Sequence, residues 1–363
     1  MPTITLTLPH HRYDIHVEPG ALAKLGDWLR PLASNGKAGL VVDAGAATHG
    51  DKAQESLATA GYGVTRMAYT ASEENKNLSA VECLLDDMLE ARFERGTPIV
   101  SVGGGITGDV AGFAAACCLR GVPFVQCPTT LLAMVDASVG GKTGVNAAQG
   151  KNLIGAFHQP VLVVCDISAL DTLPDRELRC GLAESVKHGV IRKPALFAWM
   201  EAHAQQILHR DHAILMELVA RNVAIKAQVV EADEKEAGER AHLNFGHTFA
   251  HAIENVAGYT TDFKHGEAVS LGMVAATRLA VDAHRCDAAL LARLEKLLVA
   301  LGLPVRWPEG KALPTEKLMA AMGSDKKVKD GKVRLILPDA MGKVEIVKDT
   351  PRANVEKAWD ALV

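Results

Sequence analysis

The sequence has few aromatic residues, no excess of positive charge and no long apolar run. Phe, Tyr and Trp make up 4% of its 363 residues, and 39 basic residues stand against 43 acidic ones, for a net charge of -4. Nucleic-acid-binding surfaces use clustered basic residues and stacking aromatics, so we expect no nucleic-acid partner. Apolar runs stop short of membrane-spanning length, for example at Arg120, so we also expect no membrane association.

Motifs that pair cysteines are also missing. The seven cysteines include no C-x2-C pair, and most of them stand in apolar stretches. We therefore predict buried, reduced thiols without disulfides. The first residues alternate like a strand from Ile4 to Leu8 and do not follow a signal-peptide pattern, which favours a cytoplasmic protein.

Short β-rich runs alternate with helical patterns in the first half of the chain. This order predicts a parallel sheet with helices on both faces, and such sheets bind ligands beyond the carboxyl ends of their strands. After Pro174 the periodicity is helical as far as Ala300, and Val333–Leu337 and Val344–Val347 then predict a small hairpin. The length fits two domains, which we place at residues 1–174 and 175–363.

A glycine-rich stretch follows the predicted strand that ends at Val102. Gly103, Gly105 and Gly108 satisfy G-x-G-x-x-G, a spacing that lets the backbone approach a pyrophosphate at a helix N-terminus. A plain tight turn is an equally good interpretation of this motif alone. Asp43, at the end of an earlier strand, is a candidate acceptor for ribose hydroxyls or a simple turn residue. Thr129 and Thr130 offer hydroxyl groups after the next strand.

A second glycine-rich stretch contains Gly140-Gly141-Lys142-Thr143. It resembles the end of a P-loop, but Asp136 occupies the position where that motif requires glycine, which argues against such a nucleotide site. Lys142, Lys151 and Asn152 remain candidates to hold an anion, because ammonium and amide groups donate to phosphate and carboxylate oxygens.

Histidines concentrate between residues 239 and 268. His247 and His251 are spaced i and i+4, so a helix beginning near Gly246 places both on one face. By spacing alone, such a pair is either two ordinary surface or core residues or a functional pair. A functional pair binds a divalent metal, or one imidazole binds metal while the other transfers a proton. His265 is a third candidate. Upstream, Glu184 and Lys187 form either an ordinary helical ion pair or a metal ligand beside a substrate-binding lysine.

Six ordered motifs make the chain resemble the 3-dehydroquinate synthase family of sugar-phosphate cyclases. They are GGGITGDVAGF at 103–113, PTTLLAMVDASVGGKTGVN at 128–146, KNLIG at 151–155, TLPDRELRCGLAESVK at 172–187, RAHLNFGHTFAHAIE at 240–254 and HGEAV at 265–269. The resemblance implies an α/β N-terminal Rossmann-like domain plus an all-α C-terminal domain, the dehydroquinate synthase-like fold. It also implies a homodimer that uses NAD and one Zn2+ or Co2+ ion.

The resemblance also implies roles for individual residues. The metal ligands are Glu184, His247 and His265, which leaves His251 as a catalytic partner. The implied NAD contacts are Asp43, Glu73, Lys76, Gly104, Gly105, Ile106, Thr107, Gly108, Asp109, Thr129, Thr130, Asp136, Lys142, Lys151, Ala169, Leu170, Asp171 and Thr172. The implied substrate contacts and catalytic residues are Lys142, Asn152, Lys187, Lys226, Arg240, Asn244 and His251, together with Lys326 or Lys327.

The family reaction converts 3-deoxy-D-arabino-heptulosonate 7-phosphate to 3-dehydroquinate and phosphate, and it recycles NAD. A related cyclase acting on another sugar phosphate is one alternative, although Asn152, Lys226 and Arg240 favour the heptulosonate. A metal-dependent NAD alcohol dehydrogenase is a second alternative, and it would not need so many anion-binding lysines. A catalytically inactive metabolite sensor is a third, and it would be expected to lack a metal ligand.

Overall fold

The computed structural model describes residues 3–33, 35–236, 238–258, 262–323 and 334–363. The chain divides into two compact units: the first contains Met1–Pro174 and His212–Lys235, and the second contains Asp175–Asp211 and Glu236–Val363. The boundary predicted after residue 174 therefore lies at a boundary between units. Residues 212–235, which we expected in the second domain, lie instead in the first unit.

The strands and helices are as follows. The strands are β1 (Thr3–Leu8), β2 (His11–Glu18), β3 (Lys37–Asp43), β4 (Gly63–Tyr69), β5 (Ile99–Gly103), β6 (Phe124–Pro128), β7 (Lys142–Ala147), β8 (Gly150–Phe157), β9 (Leu162–Asp166), β10 (Leu335–Ala340) and β11 (Lys343–Val347). The helices are α1 (Leu25–Leu29), α2 (Ala47–Thr59), α3 (Leu78–Glu90), α4 (Gly105–Cys117), α5 (Asp175–Ile191), α6 (Pro194–Leu208), α7 (His212–Ala232), α8 (His247–Val256), α9 (His265–Asp282), α10 (Ala288–Ala300), α11 (Thr315–Gly323) and α12 (Arg352–Asp360).

Within the described residues, the first unit contains a seven-stranded sheet in the order β1-β2-β9-β6-β5-β3-β4. Every residue of β5, β6 and β9 is buried, as expected for parallel strands covered on both faces. One apolar core, including Leu57, lies on the side of α1 and α2, and another, including Leu84 and Val110, lies on the side of α3 and α4. The predicted helices on both faces are present.

Two features of this unit differ from the predicted parallel sheet. β1 and β2 pair antiparallel, because the short connection at Pro9 and His10 reverses the chain and is too short for a crossover. The second glycine-rich stretch and the residues after it form an antiparallel hairpin, β7 and β8, outside the main sheet. That hairpin carries the candidate residues Lys142, Lys151 and Asn152.

Helix α7 interrupts the predicted helical domain. Its buried apolar residues include Leu215, Val219 and Val223, and the helix packs against β1 and β2 of the first unit. The backbone amide of Thr7 also donates to the Glu231 carboxylate over 2.7 Å. The helix therefore covers apolar sheet surface that strands at the edge would otherwise expose.

The second unit is mainly helical. Helix α9 packs against α5, α8 and α10, while α11 packs against α8, and residues 268–277 of α9 are buried. The predicted hairpin is present as β10 and β11, although Val333 lies outside the described residues. Within the described residues, no helix has the length and apolar character needed to cross a membrane.

The cysteines are all free thiols. Cys118, Cys127, Cys165 and Cys180 are buried as predicted, Cys286 is partly buried, and Cys83 and Cys117 are exposed. The prediction of buried thiols is therefore wrong for Cys83 and Cys117, because helices α3 and α4 place their side chains on the surface.

Candidate active site

Glu184, His247 and His265 form a cluster of potential metal ligands in the second unit. One donor atom from each residue lies within 4.8 Å of the other two. Glu184 is fully buried on α5, whereas the two histidines are the first residues of α8 and α9. One carboxylate and two imidazoles suit a divalent metal that keeps open positions for substrate oxygens, so the residues present fit the implied ion.

A left-handed turn places His247 at the start of its helix. Gly246 is the residue before α8 and has φ of 77°, and a Cβ there would lie 2.9 Å from both the Cγ and the backbone nitrogen of Met273. Glycine accepts this φ at little cost and leaves room for α9 to approach. The helix predicted to begin near Gly246 is confirmed, and its first residue is directed into the cluster.

A bidentate ion pair ties together the two helices that carry Glu184 and His265. The Nε and Nη2 atoms of Arg176 on α5 each donate to the Glu267 carboxylate on α9 over 2.7 Å. Glu267 also accepts a 2.9 Å hydrogen bond from the backbone amide of Lys264, which caps α9. Paired hydrogen bonds of this kind restrain orientation as well as distance.

The two oxygens of Glu184 face different partners. Oε1 lies 3.5 Å from Nε2 of His247 and 3.6 Å from Nε2 of His265, while Oε2 accepts from the buried ammonium group of Lys187. Burial alone would lower the pKa of His265, but the charge of Glu254 and its contacts with Glu184 raise it to about 10. A metal ion binding here would therefore replace that proton as the positive charge.

His251 lies one turn after His247, and the two ring centroids are 5.7 Å apart in an edge-to-face arrangement. It is not among the three clustered ligands, so the alternative in which His247 and His251 together chelate the metal is not favoured. Arg240 is buried in the turn Glu239–Asn244, and the side-chain amide of Asn244 donates to Glu236 over 2.9 Å. Lys326 and Lys327 lie outside the described residues.

In the first unit, the predicted cofactor residues gather at the carboxyl ends of the strands. The backbone amide of Thr129 after β6 donates to the carbonyl of Gly103 at the end of β5 over 2.9 Å. At the end of β3, Asp43 accepts a 3.1 Å hydrogen bond from the backbone amide of Ala71. Gly104 immediately precedes α4, whose first backbone amides favour a bound anion.

A polar network around Lys76 joins the loop before α3, the start of α4 and the β7–β8 hairpin. The Lys76 ammonium group is buried and lies 2.5 Å from Oδ2 of Asp109 and 2.6 Å from Oδ1 of Asn152. Asn152 has φ of 52°, and its backbone amide donates to the side-chain oxygen of Asn146, whose side-chain nitrogen donates to Glu73. Burial raises the pKa of Asp109 against the opposing charge of Lys76.

Several other predicted residues of the first unit can also be placed. Lys226 on α7 forms an ion pair with Asp136, and Lys151 lies 2.9 Å from Glu73. Lys142 is exposed at the start of β7. Ala169 and Leu170 are buried in the turn after β9, so they can contribute mainly backbone groups there. The side chains of Asp171 and Thr172 contact His212 and His49 over 2.8 Å and 3.0 Å.

Two residues in these networks have no role predicted from the sequence. Asn146 bridges Asn152 and Glu73, and Glu254 lies beside His265. Both stand inside the quoted motifs, and Glu254 follows His247 by seven residues, which is two helical turns. That spacing could have indicated that Glu254 lies on the same helix face as His247. The role of Asn146 depends on the β7–β8 hairpin, which was not predicted.

Comparison with known proteins gives a consistent result. Sequence models described as 3-dehydroquinate synthase N-terminal and C-terminal match residues 66–180 and 181–328. A 3-dehydroquinate synthase of Rhodospirillum rubrum is 47% identical over 99% of this chain and 94% of its own length. One from Prochlorococcus marinus is 43% identical over 99% of this chain and 97% of its own length.

Solved structures share the fold over nearly the whole chain. A 2-epi-5-epi-valiolone synthase from Streptomyces hygroscopicus with NAD+ and Zn2+ bound has a TM-score of 0.88 and 30% identity, over 98% of both chains. A 2-deoxy-scyllo-inosose synthase has a TM-score of 0.91 at 23% identity and full coverage of both chains, which supports the fold alone. The fold and the ligand cluster define a dehydroquinate synthase-like cyclase.

The particular family follows from the sequence relatives and the two matched regions. The chain belongs to the 3-dehydroquinate synthase family. The resemblance and the fold class predicted from the sequence are both confirmed.

Proposed function

We propose that this chain is a 3-dehydroquinate synthase, which converts 3-deoxy-D-arabino-heptulosonate 7-phosphate into 3-dehydroquinate and phosphate with recycled NAD+ and one divalent metal ion. The observation that carries the proposal is the cluster of Glu184, His247 and His265 in a member of this family. The 30% identical valiolone synthase, solved with NAD+ and Zn2+, supports the same cofactors. The reaction makes the enzyme a carbon–oxygen lyase.

We propose Glu184, His247 and His265 as the ligands that hold the ion, either Zn2+ or Co2+. A bound divalent metal would polarise the oxygens of the substrate hydroxyl and carbonyl groups. The helix turn between His247 and His251 leaves His251 outside the cluster, where its imidazole would exchange a proton with a substrate hydroxyl. Lys187 neutralises Glu184 from the side opposite the histidines and would direct its remaining donors to the substrate.

The proposed NAD site is the edge of the sheet formed by Asp43, the loop from Gly104 to Asp109, and Thr129 with Thr130. NAD bound there would supply reversible oxidation of a ring hydroxyl. The amides at the start of α4 would hold its pyrophosphate, and the Asp43 carboxylate would accept from a ribose hydroxyl. The other predicted contacts are Glu73, Lys76, Asp136, Lys142, Lys151 and residues 169–172.

Cationic and amide groups are proposed to bind the carboxylate and phosphate of the substrate. They are Lys142, Asn152, Lys187, Lys226, Arg240 and Asn244. Two of them, Lys187 and Lys226, are buried and form ion pairs with Glu184 and Asp136. We further propose a cytoplasmic homodimer, as the family resemblance implies.

A turnover assay tests the proposal. Purified full-length protein is mixed with the heptulosonate phosphate, NAD+ and Zn2+, and phosphate release is followed together with NADH absorbance. We expect phosphate and dehydroquinate without net NADH. Steady NADH formation on simple alcohols would instead indicate a dehydrogenase, and turnover only of sedoheptulose 7-phosphate or glucose 6-phosphate would indicate a different cyclase.

Matched histidine variants connect that activity to the cluster. His247→Ala should abolish both metal retention and turnover, because it removes one of three protein ligands. His209→Ala, at an exposed position after α6, should change neither. An active, metal-retaining His247→Ala variant would exclude His247 from the site.

A further inference from the structure

Glu254 is a buried carboxylate with no role in the reaction proposed above. It follows His247 by seven residues and His251 by three on α8, so the helical repeat brings the three side chains to one face. Its side chain is 8% exposed, and Oε1 lies 3.4 Å from Nδ1 of His265. A carboxylate this deeply buried requires a hydrogen-bond donor or a positive partner.

The two histidines of the cluster share one arrangement. Nδ1 of His247 lies 3.1 Å from the carbonyl oxygen of Phe245, and Nδ1 of His265 faces Glu254. In both residues the opposite nitrogen, Nε2, faces Oε1 of Glu184, at 3.5 Å and 3.6 Å. An oxygen beside Nδ1 favours the tautomer that carries its proton there, which leaves the Nε2 lone pair for a metal.

We propose that Glu254 is a positioning residue for the metal ligand His265. Its carboxylate accepts the Nδ1–H hydrogen bond, restrains the ring and makes Nε2 a stronger donor to the metal. Outer carboxylates hold ligating histidines in this way in many metal sites. The inference rests on the proposed metal function, and it assigns a task to a residue outside the three ligands.

Two substitutions separate this task from a purely structural one. Glu254→Ala removes the acceptor, whereas Glu254→Gln keeps an acceptor oxygen and removes the charge. If Glu254 served only as a buried counter-charge, both variants would lose stability but bind metal as the wild type does. Glu316→Gln, at a carboxylate that is 84% exposed on α11, is the matched control.

The experiment measures zinc affinity by chelator competition on metal-stripped, full-length protein. We expect Glu254→Ala to weaken zinc binding by about 10–100-fold. Glu254→Gln should lose less, because its amide oxygen still accepts from Nδ1–H, and Glu316→Gln should match the wild type. In the zinc-loaded protein, ¹⁵N NMR of labelled histidine should show the Nδ1–H signal of His265 shifted and exchanging faster in Glu254→Ala.

The decisive comparison uses Glu254→Ala, or Glu254→Leu, which also lacks an acceptor, if the alanine variant does not fold. Zinc affinity within about twofold of the wild type, or an unchanged Nδ1–H signal, would overturn the inference, since loss of an outer partner weakens metal binding by more than this. Failure of the proposed metal site itself looks different. In that case wild-type protein and Glu184→Ala would bind zinc equally.

Discussion

Replacing Gly246 by alanine tests whether the turn before α8 builds the ligand cluster. The residue has a left-handed backbone with φ of 77°, and its neighbour His247 is one of the three clustered residues. An added Cβ would lie 2.9 Å from the backbone nitrogen and the Cγ of Met273. Met273 lies within α9, eight residues after His265, so relieving the contact requires α8 and α9 to move apart.

Gly310 provides a matched control in the same unit. Its φ of 71° is nearly the same, but a Cβ there would meet nothing within 4 Å. The left-handed conformation costs an L-residue about 1–2 kcal/mol, and this is the whole effect expected for Gly310→Ala. Overpacking adds about 1–3 kcal/mol at Gly246, so we expect Gly246→Ala to lower the free energy of unfolding by about 2–5 kcal/mol.

Urea unfolding of the metal-stripped variants measures this difference, and chelator competition measures their zinc affinity. We expect weaker zinc binding in Gly246→Ala, because the displaced start of α8 moves the imidazole of His247. Gly310→Ala should bind zinc like the wild type. Equal destabilisation of the two variants, or wild-type zinc affinity in Gly246→Ala, would refute the argument that this close approach determines the position of the ligand.

Two further predictions concern the polar network of the first unit. Burial opposes ionisation of Glu73, but the charge and hydrogen bond of Lys151 and a hydrogen bond from Asn146 outweigh it and lower its pKa. The ionised Glu73 carboxylate therefore stabilises the fold above pH 4.5, and this stabilisation is lost as the pH falls through the lowered pKa. We expect Glu73→Gln to reduce the Tm at pH 7 but much less in acid. A reduction in Tm that does not depend on pH would contradict this. Lys76→Met should lower the free energy of unfolding in urea by about 3–5 kcal/mol, because it leaves Asp109 without its cation. Adding Asp109→Leu should recover part of that loss. A double variant less stable than Lys76→Met would contradict this.

The elements with strong local patterns could be predicted from the sequence. The continuous apolar runs of β5, β6 and β9 indicated strands buried on both faces, and the structure has them there. A helix beginning near Gly246 was also predicted, and α8 begins at the next residue, His247. The resemblance to the family named three ligands that the structure brings within one cluster.

Other features depend on pairings between distant segments. Residues 212–235 have an ordinary helical pattern, and nothing local indicates that they pack on β1 and β2. The β7–β8 hairpin is rich in glycine and polar residues, so its strand propensity is low and its partner strand decides its structure. The polar network around Lys76 depends on that hairpin, so it could not be predicted from local sequence patterns either.

The sequence by itself determined the layered α/β first half, the helical second half and the family, because periodicity and motif order are local properties of the chain. The tertiary structure decided which of several candidate side chains meet. His247 and His251 are equivalent by helical spacing, yet only His247 joins Glu184 and His265. That choice depends on where α5 and α9 cross α8, and crossings are set by packing between segments far apart in the sequence.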